Sequence, residues 1–365
     1  MSLIDRILLG PGPCNPYPEA TAALAAPLLG HLDPEFLRVL DETCDRLRTV
    51  WGTTNRRTLP LSGTGSIGME AAFANAVHPG RTTAVVAVNG LFGQRMVDVA
   101  TRYGATVIPV EHTWGQPVDT DKILDAHPDP DIVAAVHAET STGVRSDIAA
   151  LGRAVHDRNP DALLIADCVT SLAGIEVAAD EWGIDIGYAG TQKCIGVAPG
   201  LAPFTVSERA WRHRNPTPPT WYLDLGLIGD YVSGNATGGR TYHHTAPTAM
   251  IASLHAGLGR VLEEGLDAVF ERHRAAGERL QTGLQELGLE LFAAENHRLP
   301  ELTTVKVPDG VDSAKVRHRL LTEYDIEIGA GAGAYAQSVW RIGLMGHNAR
   351  QERAELVLAA LARLL

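Results

Sequence analysis

Short apolar runs alternate with amphipathic stretches through most of this chain. Strand-like runs fall at 83–88, 105–110, 131–137, 162–166, 184–189 and 202–206, and helix-period stretches at 91–103, 120–126 and 146–158 lie between several of them. Continuous apolar runs belong to strands buried on both faces. The pattern therefore predicts an α/β fold, a mostly parallel central sheet with helices on both faces. Before the sheet, Pro34 to Val50 sets Leu37, Leu40 and Leu47 on or near one helical stripe. After it come amphipathic helices at 248–264 and 267–287, then a β-α-β-β-α pattern at 301–307, 312–323, 325–329, 337–343 and 349–364. This order divides the chain into an N-terminal arm (1–33), a large domain (34–260) and a smaller C-terminal α+β domain (261–365). The Pro- and Gly-rich stretch from Asn215 to Arg240 holds no long regular element and reads as an ordered loop near the site. Gly329 to Gly333, between two strands, reads equally as a substrate-facing loop or a plain hairpin turn.

The candidate chemistry sits where apolar runs end, which is where open α/β sheets bind their ligands. The run Ile184-Asp185-Ile186-Gly187-Tyr188-Ala189 passes into Gly190-Thr191-Gln192-Lys193. The other lysines, Lys122, Lys306 and Lys315, lie in polar or alternating stretches and read as solvated. Lys193 lies among Gly, Thr, Gln and Cys, where a buried amine loses its proton and becomes a nucleophile. A surface-turn lysine is the plain alternative. Upstream, Ala162-Leu163-Leu164-Ile165-Ala166 ends in Asp167. Such an Asp is often only a helix cap. Paired with Lys193 it meets the needs of pyridoxal phosphate chemistry, in which a lysine forms the Schiff base and a carboxylate keeps the pyridine nitrogen protonated.

A third feature is the turn Ser62-Gly63-Thr64-Gly65-Ser66-Ile67-Gly68, between a short strand and an Ala-rich helix. Exposed N–H groups and the dipole at such a helix start favour a phosphate. Gly63, Gly65 and Gly68 also satisfy the dinucleotide pattern G-x-G-x-x-G, which is weak alone. The next strand ends at Asn89-Gly90, where a nicotinamide enzyme usually carries an acid for the ribose. A dinucleotide would leave Asp167 and Lys193 without a purpose.

Composition narrows the partners. A chain of 365 residues, 45% hydrophobic and 20% charged, is ordinary for a soluble globular protein with a large core. A net charge of −12 disfavours nucleic acid and anionic membrane. No apolar run approaches the ~18 residues of a spanning helix, and the start shows no secretory pattern. Cys14, Cys44, Cys168 and Cys194 lack C-x-x-C spacing and suggest reduced thiols in a cytoplasmic protein. Cys194 beside Lys193 reads as small-residue packing rather than a second nucleophile. A metal is not expected, because the adjacent His243 and His244 would point opposite ways on an extended chain. His31 reads equally as a helix cap or a pocket residue. Arg341, in Val339-Trp340-Arg341-Ile342-Gly343, is poorly placed for a solvated face, so it needs either a structural salt bridge or an anionic substrate.

The landmarks together resemble one family. They are Gly10-Pro11-Gly12-Pro13 with Asn15, Ser62 to Gly65, Asn89-Gly90 through Gly93-Gln94-Arg95, and His137-Ala138-Glu139-Thr140-Ser141-Thr142-Gly143. Asp167 with Ser171, Gln192-Lys193, Tyr242-His243-His244-Thr245 and Trp340 through Gly346 continue the series. The chain resembles fold-type I pyridoxal phosphate enzymes of aminotransferase class V, nearest the alanine–glyoxylate and serine–glyoxylate (or serine–pyruvate) group. The resemblance implies pyridoxal 5'-phosphate bound to Lys193, with Asp167 on its ring nitrogen. Phe92 would stack on the ring, a departure from the Trp common there. Thr64, Gly65 and Ser66 would head the phosphate-binding helix, although some relatives have His at the Ser66 position. Thr140 would bond the phenolic oxygen, Gln192 would help hold the phosphate, and Arg341 would clamp the substrate carboxylate. Tyr242 and Thr245 would reach the neighbouring subunit's phosphate, implying a homodimer with shared sites. The implied activity is transfer of an amino group from alanine or serine to a 2-oxo acid such as glyoxylate or pyruvate. The rivals are an aminoethylphosphonate transaminase, a desulfurase or lyase of the same fold, a transaminase of a specialised biosynthetic pathway, and a non-catalytic binding protein.

Overall fold

The computed structural model describes residues 4–234 and 239–365. The first three residues of the arm and 235–238 of the Pro/Gly-rich stretch lie outside it. Its central sheet has seven strands: β1 (Arg57–Ser62), β2 (Thr83–Val88), β3 (Thr106–Glu111), β4 (Ile132–Val136), β5 (Leu163–Asp167), β6 (Ile186–Tyr188) and β7 (Leu201–Val206). The spatial order is β1-β7-β6-β5-β4-β2-β3, and only β7 runs against its neighbours. Hydrophobicity marks a strand without giving its direction, so the antiparallel β7 was not legible from its sequence.

Every residue of β4, β5 and β6 is buried. Successive side chains on a strand face opposite ways, so these central strands are covered on both faces. The covering helices include α1 (Pro34–Trp51), α2 (Gly65–Ala76), α3 (Leu91–Arg102) and α4 (Ile148–Arg158). The helix α1 starts where Asp33 accepts from the N–H of Glu35 with Pro34 at the first position, and ends at left-handed Gly52. Among its described residues, Asn215–Arg240 contains one short helix, Leu225–Val232, capped by Asp224.

Two long helices, α5 (Thr248–Glu264) and α6 (Leu266–Glu286), lead to a three-stranded antiparallel sheet of β8 (Leu302–Lys306), β9 (Gly329–Ala330) and β10 (Val339–Gly343), in the order β8-β10-β9. The expected strand at 325–329 is divided. Ile326–Glu327 pairs with Ile7–Leu8 of the arm, whereas Gly329–Ala330 pairs with Arg341 and Trp340. The glycine-rich segment is therefore partly strand.

The apolar interior forms a large cluster around the seven-stranded sheet and a second around Trp340, Ile342, Leu280 and Leu358. Leu9 of the arm belongs to the second. Between them lies a small seam cluster containing Cys14, Cys194, Leu302 and Met345. The arm thus ties the smaller sheet to the loop that presents Lys193.

Candidate active site

Lys193 lies in a tightly held turn beyond β6. The Thr191 hydroxyl donates to the Ala198 carbonyl at 2.8 Å, the N–H of Gly196 donates to the Lys193 carbonyl at 2.9 Å, and Cys14 Sγ meets that carbonyl at 3.2 Å. The lysine side chain is buried, and Nζ donates to the Pro11 carbonyl of the arm. Gly12 makes that approach possible: a Cβ there would lie 2.5 Å from Nζ, and its φ of +104° suits glycine. Burial lowers the Lys193 amine to about 8, with the charge of Arg341 acting in the same direction. The plain alternative of a solvated lysine is thereby removed.

Asp167 ends β5 and pairs in register with Tyr188, the last residue of β6. Its Oδ1 accepts from the N–H of Val169 at 2.9 Å, while the buried Oδ2 makes no hydrogen bond of normal geometry among the described residues, although the Tyr188 hydroxyl lies close enough to the carboxyl to favour its ionised form. Burial pushes this carboxyl up to about 7. An unpartnered buried carboxylate oxygen calls for a donor from outside the chain. A protonated ring nitrogen has that chemistry.

Asp167 and Lys193 line one cavity of ≈ 140 Å³ together with Thr64, Gly65, Ser66, Met69, Phe92, Arg95, Val169 and Gln192. Thr64 gives α2 no side-chain cap, so the first N–H groups of that helix are left for an acceptor in the cavity. Gly65 lets the helix start pack closely, since a Cβ would meet Val169 at 2.8 Å. Gln192 adds a buried Oε1 with no partner among the described residues. An orphaned acceptor beside Lys193 and an uncapped helix start beyond it suit an aldehyde-bearing, phosphorylated pyridine.

Glu139 lies within a landmark segment, and its role depends on contacts that the sequence does not display. Its buried carboxylate accepts from the N–H groups of Phe92 (3.0 Å), Gly93 (3.4 Å) and Ser141 (3.0 Å), and from the Ser141 hydroxyl (2.6 Å). A carboxylate at the start of α3 suits the helix dipole, and here it fixes Phe92 to the segment bearing Thr140. Gly90 leaves the room, because a Cβ there would meet Glu139 at 2.4 Å. The signal was a Glu beside Thr-Ser after a buried strand, which says nothing of its partners.

Arg341 lies on β10, half-buried between fully buried Trp340 and Ile342. Its Nε donates to the Ala330 carbonyl at 2.6 Å and its Nη1 reaches the Thr140 carbonyl at 3.4 Å. It forms no ion pair with Asp or Glu among the described residues, so a structural salt bridge does not explain it. Thr140 is itself buried.

Other candidates lie apart from the cavity walls. Tyr242 is 55% exposed, and its hydroxyl is 3.3 Å from that of Thr245. His31 neither caps α1, which Asp33 does, nor lines the cavity; it packs on the Tyr242 ring at 5.2 Å, and its carbonyl accepts from the Tyr231 hydroxyl. The expectation that His243 and His244 point opposite ways fails. Their Nδ1 atoms are 2.8 Å apart, because this segment is a loop rather than a strand. No group of three metal-ligating side chains occurs among the described residues.

A parallel sheet with a strand-end carboxylate, a buried strand-end lysine and a glycine-led helix start defines the class: a fold-type I transferase. The chain belongs to the aminotransferase class-V family, whose model matches residues 15–356. It is 39% identical to an alanine–glyoxylate aminotransferase of Drosophila melanogaster, over 98% of this chain and 91% of the relative. It is 37% identical to the (S)-ureidoglycine–glyoxylate transaminase of Bacillus subtilis (strain 168), over 99% of this chain and 90% of that one. The solved alanine–glyoxylate aminotransferase from Nostoc sp. superposes with a TM-score of 0.95 at 42% identity, covering 100% of this chain and 96% of that structure.

Proposed function

We propose that this protein is a pyridoxal 5'-phosphate-dependent aminotransferase that moves the amino group of a small amino acid, alanine or serine, to glyoxylate or pyruvate. The observation that carries the reading is the cavity itself. A lysine with a depressed pKa and a carboxyl oxygen with no hydrogen bond of normal geometry among the described residues line it together, beside a helix start without a side-chain cap. Lys193 would hold the cofactor, Asp167 its ring nitrogen, Phe92 its face, and Thr140 its phenolic oxygen. Thr64, Gly65, Ser66 and Gln192 would hold its phosphate. When bound, the cofactor supplies an electron sink for the pair released at the substrate's Cα.

The chain's own groups do the rest. Arg341 offers a planar fork with no competing acid, so it binds the substrate carboxylate and fixes the direction of the Cα–H bond. Lys193 Nζ, a buried amine with a pKa lowered to about 8, would take up and return the proton at the substrate's Cα. Asp167 would hold the cofactor's ring nitrogen in its protonated form. Glu139 keeps Phe92 and Thr140 in fixed relation while this happens.

We further infer that the working unit is a homodimer. Trp221, 63% exposed, stacks on His243, Tyr242 packs on His31, and Leu28 and Leu32 of the same chain stretch as His31 are exposed. So much exposed apolar and aromatic surface marks an interface. It would carry Tyr242 and Thr245 to the phosphate of the second copy's cofactor. Four buried, unpaired cysteines suit a reducing cytoplasm. No helix among the described residues is long and apolar enough to cross a membrane.

The donor is the least fixed part. Relatives named for alanine and for ureidoglycine as donors share glyoxylate as acceptor, which makes glyoxylate the better supported acceptor. The test is single-turnover absorbance on the purified holoprotein, adding alanine, serine and aminoethylphosphonate separately. Loss of the bound cofactor's visible band with one of them, restored by glyoxylate or pyruvate, is the expected result and names the donor. An unchanged band with all three would overturn the assigned reaction.

A further inference from the structure

Arg95 has no part in the reading above, yet it lines the same cavity. It lies on the first turns of α3, half-buried, with its guanidinium 4.9 Å from the centre of the Phe92 ring and Nη1 3.5 Å from Ser66 Oγ. Elsewhere in this acid-rich chain, arginines such as Arg209, Arg240 and Arg272 pair with Asp or Glu. Arg95 pairs with none among the described residues. It is a cation lodged on an aromatic ring, directed at the uncapped start of α2, without an anion of its own.

The phosphate cradle explains this arrangement. A phosphate monoester brings a charge of about −2 at neutral pH, whereas a helix start offers only about +0.5. Thr64, Gly65, Ser66 and Gln192 are all neutral, and Lys193 Nζ is engaged by the Pro11 carbonyl. We propose that Arg95 completes the cradle as the charged donor to the cofactor's phosphate, held in place by the Phe92 ring. A guanidinium stacked on an aromatic face keeps its orientation while its N–H groups stay free to donate. Phe92 then has two neighbours, the cofactor ring and Arg95, which explains why the Glu139 carboxylate anchors its backbone so firmly.

This inference rests on the cofactor assignment, and the experiment separates the two. The apoprotein is titrated with pyridoxal 5'-phosphate and with pyridoxal, which lacks the phosphate, following protein fluorescence and cofactor absorbance. Wild type, R95Q, R95A and R95K are compared after circular dichroism shows each to be folded; two neutral variants are made so that failure of one to fold leaves the other. R95Q and R95A should bind the phosphorylated compound about 10- to 100-fold more weakly, as expected for a charged hydrogen bond, and bind pyridoxal as wild type does. R95K should recover part of the loss. In wild type, inorganic phosphate should enhance pyridoxal binding, and this enhancement should vanish in R95Q. Equal affinities of wild type and neutral variants for the phosphorylated compound would overturn the proposal. So would an equal loss for both compounds, which would make Arg95 a support of Phe92 only. A wild-type protein that binds neither compound would overturn the cofactor assignment and this inference with it.

Discussion

Asp167 and Glu301 are both carboxyls sealed inside the protein, and they differ in what lies before them. Asp167 is 3% exposed and lines a cavity, whereas Glu301 is 0% exposed and precedes Leu302 of the small seam cluster. Asp167 keeps one bonded oxygen and one free, while both carboxyl oxygens of Glu301 lack partners among the described residues. Burial raises Asp167 to about 7 and Glu301 to about 8. The same physical cost therefore serves two ends. Before a cavity, an unpartnered oxygen is a place for a ligand's N–H; fully enclosed, it is a charge that the folded state excludes.

The contrast predicts distinct outcomes, beginning with the site as a whole. Lys193→Ala should reduce turnover to background and remove the bound cofactor's visible band; retained turnover would end the scheme. Asp167→Asn should lower kcat by about 10²–10³, the scale of losing one preorganised electrostatic partner, whereas Glu301→Gln should leave kcat within about threefold. Steady-state kinetics on both variants test the comparison directly, and equal effects would erase it. Arg341→Ala should raise KM by about 10- to 100-fold for every amino acid, as for a charged hydrogen-bonded anchor. An unchanged KM would contradict the carboxylate role.

The smallest effect concerns stability. A carboxyl whose pKa is higher in the folded than in the unfolded chain binds more protons when folded. Stability is then lost as pH rises from the unfolded value of about 4 to the folded one. That window ends at about 7 for Asp167 and about 8 for Glu301. Thermal unfolding of Glu301→Gln should therefore fall less steeply than wild type up to pH 8, by at most ~1.4 kcal/mol per pH unit. In the cofactor-free protein, where no ring nitrogen pairs with the carboxylate, Asp167→Asn should flatten the curve only up to pH 7. Parallel curves for all three proteins would show that neither carboxyl is held protonated.

Lys193, Asp167 and the Gly65 turn were legible because each is a local event, a change of composition at the end of an apolar run. The central sheet was legible for the same reason, apart from the direction of β7. What escaped notice depends on contacts across the chain. Glu139 takes its meaning from Phe92 and Gly93, and Arg95 from Ser66, and neither pairing follows from spacing. Glu301, between Pro300 and Leu302, looks like any charged residue at a strand edge until the fold closes over it. The histidine pair departs from the expected arrangement because its segment is a loop rather than an extended strand.

The position of Arg341 has a consequence for which molecules the enzyme accepts. Its guanidinium is anchored to Ala330 on the smaller sheet and to Thr140 beside the larger one, so it bridges two bodies. A ligand carboxylate held by Arg341 would therefore be tied through one side chain to both sheets. A primary amine of the right size but without a carboxylate would lack that tie.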